Sequence, residues 1–495
     1  MSTRFIRVIK NKKMSIRNLE PKALWNHFAD LNAVPRPSKK EERVIEFMVN
    51  FGKSLGLETI QDAIGNVIIK KPATAGMENR PTVVLQSHLD MVHQKNSDTV
   101  FDFDTQGIEM LVDGDWVKAN GTTLGADNGI GVAAIMAIFA STDIAHPALE
   151  AMFTIDEETG MTGAIKIDPS NFKGTVLLNL DTEDDDELSI GCAGGIDTNT
   201  TYSYEEENTD ADHAGYEINI RGLLGGHSGM DIHRGRGNAN KLMNRILYQG
   251  VSLMHLQVAS IDGGSLRNAI PRESTAVVTV LKDDAKAFEA FLASFSEELK
   301  VELSTVETAL TIEWKSVTTP AKVMKPEDTI KVLNTIYAVP NGVFRMSPDM
   351  EGLVETSSSL ARIILKDGKF ITQSLQRSSV ESTKSDVANA VRAAFENMGC
   401  AVVQNGDYPG WKPNPNSPVL NLMADLYRKR YNEEPQIKAC HAGLECGILG
   451  KHFPNMDMIS FGPNIRAAHS PDEKVQISSV QKFWGYLLEA LESIN

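Results

Sequence analysis

The stretch Val83-Val84-Leu85-Gln86-Ser87-His88-Leu89-Asp90 is an apolar run that closes on a histidine and an aspartate two residues apart. In an extended chain, side chains two apart share a face, so His88 and Asp90 project together. A neutral imidazole is a zinc ligand, and a carboxylate beside it takes the ring's other N–H, fixing the tautomer and raising ligand basicity. By itself, His-x-Asp is also what an ordinary polar strand end carries. Further on, Leu124-Gly125-Ala126-Asp127-Asn128-Gly129-Ile130-Gly131 opens a helix. A Gly-rich loop at a helix start can cradle a phosphate, but Asp127 would repel an anion, and no phosphate-loop lysine accompanies it. A carboxylate gripping a cation and a plain structural turn are the readings left. A strand expected over 149–155 runs into Asp156-Glu157-Glu158-Thr159-Gly160. Adjacent carboxylates point different ways, so one can bind a metal while its neighbour handles a proton; an acidic turn is the plainer alternative. The next apolar strand, 175–180, delivers Asp181. Successive strands ending in His, Glu and Asp are a repetition that a random acidic surface would not give.

The pattern around these side chains supplies a scaffold. Residues 18–35 have helical periodicity that stops at Arg36-Pro37-Ser38. Ser38, followed by Glu41-Glu42 and apolar Val44, Ile45, Phe47, Met48 and Phe51, predicts a capped amphipathic helix ending near Gly52 or Gly56. Strands are expected over 66–71 and 82–86 and a helix over 132–140, an αββ opening to an α/β domain. In open α/β sheets the carboxyl ends of strands face the active-site crevice, where His88, Glu157, Glu158 and Asp181 fall.

After Cys192-Ala193-Gly194-Gly195 the texture changes. Strands over 215–222, 254–260, 274–282 and 309–317 mix with helices over 238–251 and 285–300. The order then recurs as helix 326–338, strands 353–365 and 369–376, helix 381–398 and strand 400–405. Two similar units predict a duplicated α+β insertion. A Pro/Gly-rich bridge at 406–418 leads to a helix at 418–430, a Gly-bearing catalytic-domain loop with His441 and Glu445, a strand at 458–461, the stretch Ala468-His469-Ser470-Pro471-Asp472-Glu473, and a helix at 478–493. The predicted organisation is a tail or start-site extension at 1–13, a catalytic domain at 14–195 and 406–495, and an inserted domain at 196–405 with halves at about 196–308 and 309–405.

At 495 residues the chain exceeds one hydrophobic core. A net charge of −16 argues against a nucleic-acid partner, which needs a basic face. The acidic runs 183–187 and 205–207 are expected to be exposed loops. Four cysteines without CxxC spacing suit a reducing compartment. The first 13 residues are basic but carry no apolar h-region, which is not a signal peptide. The longest apolar run, 132–140, is far short of the ~20 residues that span a bilayer. A cytoplasmic protein with no membrane partner is expected.

Gathered together, His88, Asp127, Glu158, Asp181 and His469 are the mixture of imidazole and carboxylate that Zn²⁺, Co²⁺ or Mn²⁺ prefers. They are too many for one tetrahedral zinc with an open position. With one carboxylate shared they suit two metals ~3.5–4 Å apart, bridged also by a water. These motifs, with Gly225-Gly226-His227-Ser228-Gly229, fall in the order found in the co-catalytic zinc peptidases that include carnosinase, aminoacylase and glutamate carboxypeptidase, and the chain resembles that family from about residue 15 to its end. The resemblance implies an α/β catalytic domain with a central mixed sheet flanked by helices, plus an inserted α+β lid of two ferredoxin-like halves. It also implies that Asp127 bridges two divalent metals, zinc first and cobalt or manganese as alternatives. His88 and Asp181 then complete one site, Glu158 and His469 the other. Glu157 is the implied general base, Asp90 the partner of His88, and lid His227 the residue approaching the substrate carbonyl. Ala467 stands where the family pattern leads one to expect glycine.

The activity that the resemblance implies is metal-dependent hydrolysis of dipeptides of broad specificity, Xaa-His included. The alternatives are an N-acyl amino-acid deacylase or carboxypeptidase with the same centre, and a catalytically dead binding protein, which would have lost a ligand or base. A dipeptidase must recognise a free carboxylate, for which arginine is the natural fork. Arg377 is the candidate, with Asn268 and Arg267 behind it, and His441 and Glu445 are candidate substrate contacts. The expected partners are a small peptide substrate and a second copy of the chain as a homodimer.

Overall fold

The apolar runs that lead to His88 and to Asp156 form the strands Val83–His88 and Leu149–Thr154, buried along their whole length and paired in parallel with Val83 opposite Leu149. Burial on both faces makes such strands continuous apolar runs rather than alternating ones. Each buried Val or Leu contributes about 1.5–3 kcal/mol relative to exposure, and a slip of one residue would move every side chain to the opposite face. In a computed structural model describing residues 15–495, these strands sit in a mixed sheet. Among the described residues its eight strands run in the order Glu58–Gln61, Val67–Lys71, Leu149–Thr154, Val83–His88, Val176–Asn179, Asp457–Ser460, Glu187–Cys192, Gln436–Cys440. Leu149–Thr154, Val83–His88, Val176–Asn179 and Asp457–Ser460 are mutually parallel, so their carboxyl ends share one rim. The helix Ala126–Ala140, apolar on nearly every side, is buried from end to end apart from Asp127 and Ala140, as a helix without a polar face must be.

A smaller sheet positions the late histidine. Ile465–Arg466 and Lys474–Gln476 pair antiparallel, with Ile465 opposite Val475, so residues 467–473 are the tip of a hairpin. That hairpin is anchored by Lys474–Gln476 pairing with Trp116–Ala119.

The described chain folds as two compact units. One comprises the residues up to Ile190, Asn414–Lys438 and Ile448–Asn495; the other comprises Gly191–Pro413 and Ala439–Gly447. The second unit is built on an antiparallel sheet in the order Thr311–Val317, His213–Arg221, Ser274–Leu281, Gln257–Gly263, Val354–Lys366, Lys369–Ser378, Gly194–Ser203, Ala401–Tyr408. The helices Ala239–Met254, Ala285–Leu303, Pro326–Ala338 and Glu381–Met398 bury their apolar faces in one core with these strands. The mixed α/β architecture with an inserted α+β unit is the expected one.

Several boundaries differ from the expectation. Thr311–Val317 pairs with His213–Arg221, and Gly194–Ser203 pairs with Lys369–Ser378, so the two halves interleave instead of dividing at 308/309. The segment Ala439–Gly447, expected in the catalytic domain, groups with the inserted unit, where Ala193 N donates to Cys440 O (3.1 Å) and Ala442 O (2.9 Å). The 183–187 run is half-buried rather than exposed, because Glu183 lies against other acids and Glu187 begins a strand. Within 205–207 only Glu205 is exposed, since Glu206–Asn208 pairs with Lys322–Met324. The tail expected over residues 1–13 lies outside the described residues. No described helix is long and apolar enough to cross a membrane.

Candidate metal centre

Asp127 stands between the two histidines. Its Oδ1 is 3.2 Å from His88 Nε2 and its Oδ2 is 3.2 Å from His469 Nε2. Asp181 Oδ1 lies 3.6 Å from His88 Nε2, and Glu158 Oε2 lies 3.0 Å from His469 Nε2. Two sets of potential ligands result, His88–Asp127–Asp181 and Asp127–Glu158–His469, with the ligand atoms of each set within 4.8 Å of one another. His88, Glu157 and Glu158 form a further such set.

The surroundings hold these side chains in place. Asp90 Oδ1 sits 3.4 Å from His88 Nδ1, which leaves Nε2 facing Asp127. The Asp90 carboxylate also accepts the amides of Glu157 (3.0 Å) and Glu158 (3.3 Å) and the Ser38 hydroxyl (2.8 Å). Glu473, from the His469 hairpin, accepts the amides of Leu124 (2.7 Å), Gly125 (2.9 Å), Ala126 (2.7 Å) and Asp127 (3.2 Å). It thereby ties the His469 hairpin to the loop that carries Asp127. Buried Arg36 donates to the carbonyls of Leu89 and Asp90, each at 3.0 Å, and to that of Gly125. Asn128 Nδ2 donates to Leu180 O at 2.7 Å and to Asp181 Oδ1. Ala467 has φ +55 and His469 φ +63. The left-handed conformation at Ala467 is the physical reason a glycine would suit that position.

The residues fit a pair of divalent cations. Glu158 Oε1 is buried without a hydrogen-bond partner, and two acids of the cluster, Asp181 and Glu183, are pushed toward the protonated form. Burial, with the charges of Asp127 and Glu158, lifts Asp181 to about 6 against the pull of His88; burial, with Asp127 and Asp181, lifts Glu183 to about 8. Hydrogen bonds to Asp127 and Glu158 raise His469 to about 11. Burial opposes charge on His88, but Asp181, Asp127 and Asp90 outweigh it and raise its pKa well above the ordinary value. At neutral pH the metal-free site therefore holds protons on both imidazoles and on Glu183, and a metal can bind only a deprotonated imidazole. Loading at pH 7 is expected to release more than one proton per chain and to tighten as pH rises. Calorimetry in buffers of different ionisation enthalpy reads that number; a value of zero would contradict this account.

The remaining candidates lie in the second unit. His227, Arg377 and His441 come together there: Arg377 Nη2 is 3.4 Å from His227 Nε2, and His441 Nε2 is 2.7 Å from Ser357 Oγ. The field of Arg377 lowers both rings after burial does, His227 to about 4 and His441 to about 3. Glu445 is buried at the start of the helix Glu445–His452. Asn268 gives its backbone carbonyl to the Ser228 amide at 2.8 Å. Arg267 is held by Asp197 (2.6 Å) and Asn199 (2.9 Å), an ion pair within the unit. Tyr408, whose hydroxyl accepts from Arg377 Nη1 at 2.8 Å, escaped the sequence reading, as did Ser357. Gly-Asp-Tyr-Pro-Gly carries only a turn signal.

The sequence profile of Peptidase family M20/M25/M40 matches residues 84–493. The chain is 42% identical over 482 residues to the cytosol non-specific dipeptidase of Escherichia coli, covering 97% of this chain and 99% of that protein. Its fold matches aminoacylhistidine dipeptidase from Vibrio alginolyticus with a TM-score of 0.93 at 43% identity, over 97% of this chain and 98% of that one. Aminopeptidase PepT from Bacillus cereus shares the fold at a TM-score of 0.56 and 15% identity, over 96% and 99% of the two chains. Matches of this extent lead to one assignment: the chain belongs to Peptidase family M20/M25/M40.

Proposed function

We propose that this peptidase cleaves dipeptides of broad composition, Xaa-His among them, at a two-metal centre with Glu157 as the proton carrier. The observation that carries the proposal is Asp127 placed 3.2 Å from each of two histidines, each histidine having a second carboxylate of its own. The identity to dipeptidases over nearly the whole chain supports the substrate class.

When bound, a divalent pair, zinc first with cobalt or manganese as alternatives, would lower the pKa of the attacking water toward ~7 and polarise the scissile carbonyl. His88, Asp127 and Asp181 would hold one ion, and Asp127, Glu158 and His469 the other. Glu157, its amide fixed on Asp90, takes the proton of the attacking water on a carboxylate oxygen. It then delivers that proton to the leaving amine nitrogen, while the oxygen of the water stays in the new carboxylate.

Within the second unit the tautomer of His227 follows from its neighbours. Nδ1 accepts the amides of Gly229 (3.1 Å) and Met230 (3.0 Å), so the proton of the neutral ring is on Nε2. That N–H and Arg377 Nη2 are then two donors 3.4 Å apart, and an oxygen of the substrate is the acceptor both lack. Arg377 binds the free carboxylate and His227 a substrate oxygen, with Asn268, His441 and Glu445 as further contacts. Arg377→Met is expected to raise KM for free dipeptides by ~10–100-fold, the worth of about 1.5–3 kcal/mol for a charge-assisted hydrogen bond. The effect on kcat should be smaller. If the variant discriminates free dipeptides from dipeptide amides as wild type does, Arg377 is not the clamp.

One preparation tests the whole reading: elemental analysis for metal, then turnover of free dipeptides, tripeptides and N-acylated amino acids. Preference for an N-acylated amino acid would favour the deacylase alternative, and no turnover with metal bound the binding-protein one. A homodimer and a cytoplasmic location belong to the same proposal, the first checked by sedimentation.

A further inference from the structure

The turn carrying Glu157 and Glu158 is gripped from two sides. On one side Asp90 receives the amides of both residues. On the other, Asp156, 3% exposed and at φ +55, turns its carboxylate onto Lys39 Nζ, Thr159 Oγ1 and Thr162 Oγ1. Gly160 leaves the room for this, since a Cβ there would stand 2.8 Å from Asp156 Oδ2 and 3.2 Å from Lys39 Nζ. The two grips come from consecutive residues of one loop: Ser38 donates to Asp90 Oδ2 at 2.8 Å, and Lys39 pairs with Asp156.

Glu41, Asp90 and Asp156 are all buried, and a carboxylate oxygen from each lies within 4.8 Å of the others. That spacing would suit a cation. These oxygens are, however, already engaged by the Ser38, Thr159 and Thr162 hydroxyls, by the amides of Lys39, Glu157 and Glu158, and by the Lys39 ammonium. Acids so close repel one another unless a cation opposes them. Lys39 opposes Asp156, reaching it with a side chain 60% exposed, so it is a counter-charge laid over the turn rather than a core residue.

We propose that Lys39 is a positioning residue for Glu157: by pairing with Asp156 it keeps the acidic turn folded so that the neighbouring carboxylate stays aimed at the reacting water. The inference rests on the reading of Glu157 given above. Without the ammonium, Asp156 retains two hydroxyl donors beside two other carboxylates and relaxes toward solvent, carrying the backbone of the next residue with it.

The test is a double-mutant cycle on the metal-loaded protein with K39M, K39R, D156N and K39M/D156N. K39M is expected to lower kcat on the order of 10–100-fold, the scale of a misplacement near 1 Å. KM should stay within about threefold and metal content should not change, and K39R should restore most of the rate. Because D156N removes the charge that Lys39 opposes, the double variant should turn over like D156N alone. Losses that multiply around the cycle, or a K39M enzyme at wild-type rate, overturn the inference. Amide exchange over 156–160, expected to quicken in K39M and to recover in the double variant, reads the same coupling without catalysis. Unchanged exchange in K39M overturns the positioning role, whereas faster exchange in a protein whose wild type cleaves no dipeptide overturns only the dipeptidase reading.

Discussion

Glu157→Gln is expected to lower kcat by on the order of 10²–10⁴-fold, the usual contribution of a positioned proton carrier, or about 3–5.5 kcal/mol of barrier. Glutamine is isosteric, keeps the backbone amide on Asp90 and cannot accept the water's proton. KM should change little, because the loss falls on the transition state alone. Metal content is the necessary control, since Glu157 also lies in a potential ligand set with His88 and Glu158. A variant with wild-type metal content and near-normal turnover would move the proton-carrying role elsewhere.

Asp127→Asn should be as severe for a different reason. The aspartate serves both ligand sets at once, one oxygen toward each histidine. The amide offers one acceptor oxygen and no charge, so both sets are weakened together. Loss of a partner that merely supports a ligand costs about 10–100-fold in metal affinity, and loss of a shared ligand should exceed that for both ions. Asp181→Asn and Glu158→Gln, each belonging to one of the two sets centred on Asp127, are expected to release one ion preferentially. Elemental analysis after dialysis decides the matter. Full metal content in Asp127→Asn would mean that the two sets do not share it.

Legibility in the sequence followed how local each signal is. The strands leading to His88, Asp156 and Asp181 showed as short apolar runs because both faces of each are buried. The side chain just past a buried run at the carboxyl rim of a parallel sheet has few places to go, so ligand candidates could be picked one strand at a time. Helices such as Pro326–Ala338 and Glu381–Met398 were legible from periodicity for the same local reason. Glu183 departs from the exposure expected of an acidic run because such a run has the same composition whether it faces water or other acids.

Residue type and order alone determined which groups could bind cations, that at least two imidazoles and three carboxylates were available, and that an α+β segment interrupts an α/β domain. These are properties of side-chain chemistry and of short-range pattern. Tertiary structure alone decided that Asp127 lies between His88 and His469, 39 and 342 residues away along the chain. It also decided that the halves of the insertion exchange strands, that Ala439–Gly447 joins that unit, and that Lys39 reaches Asp156 across 117 residues. Each is a contact between segments far apart in sequence, chosen by how the sheets and helices pack, and no window of neighbouring residues contains it.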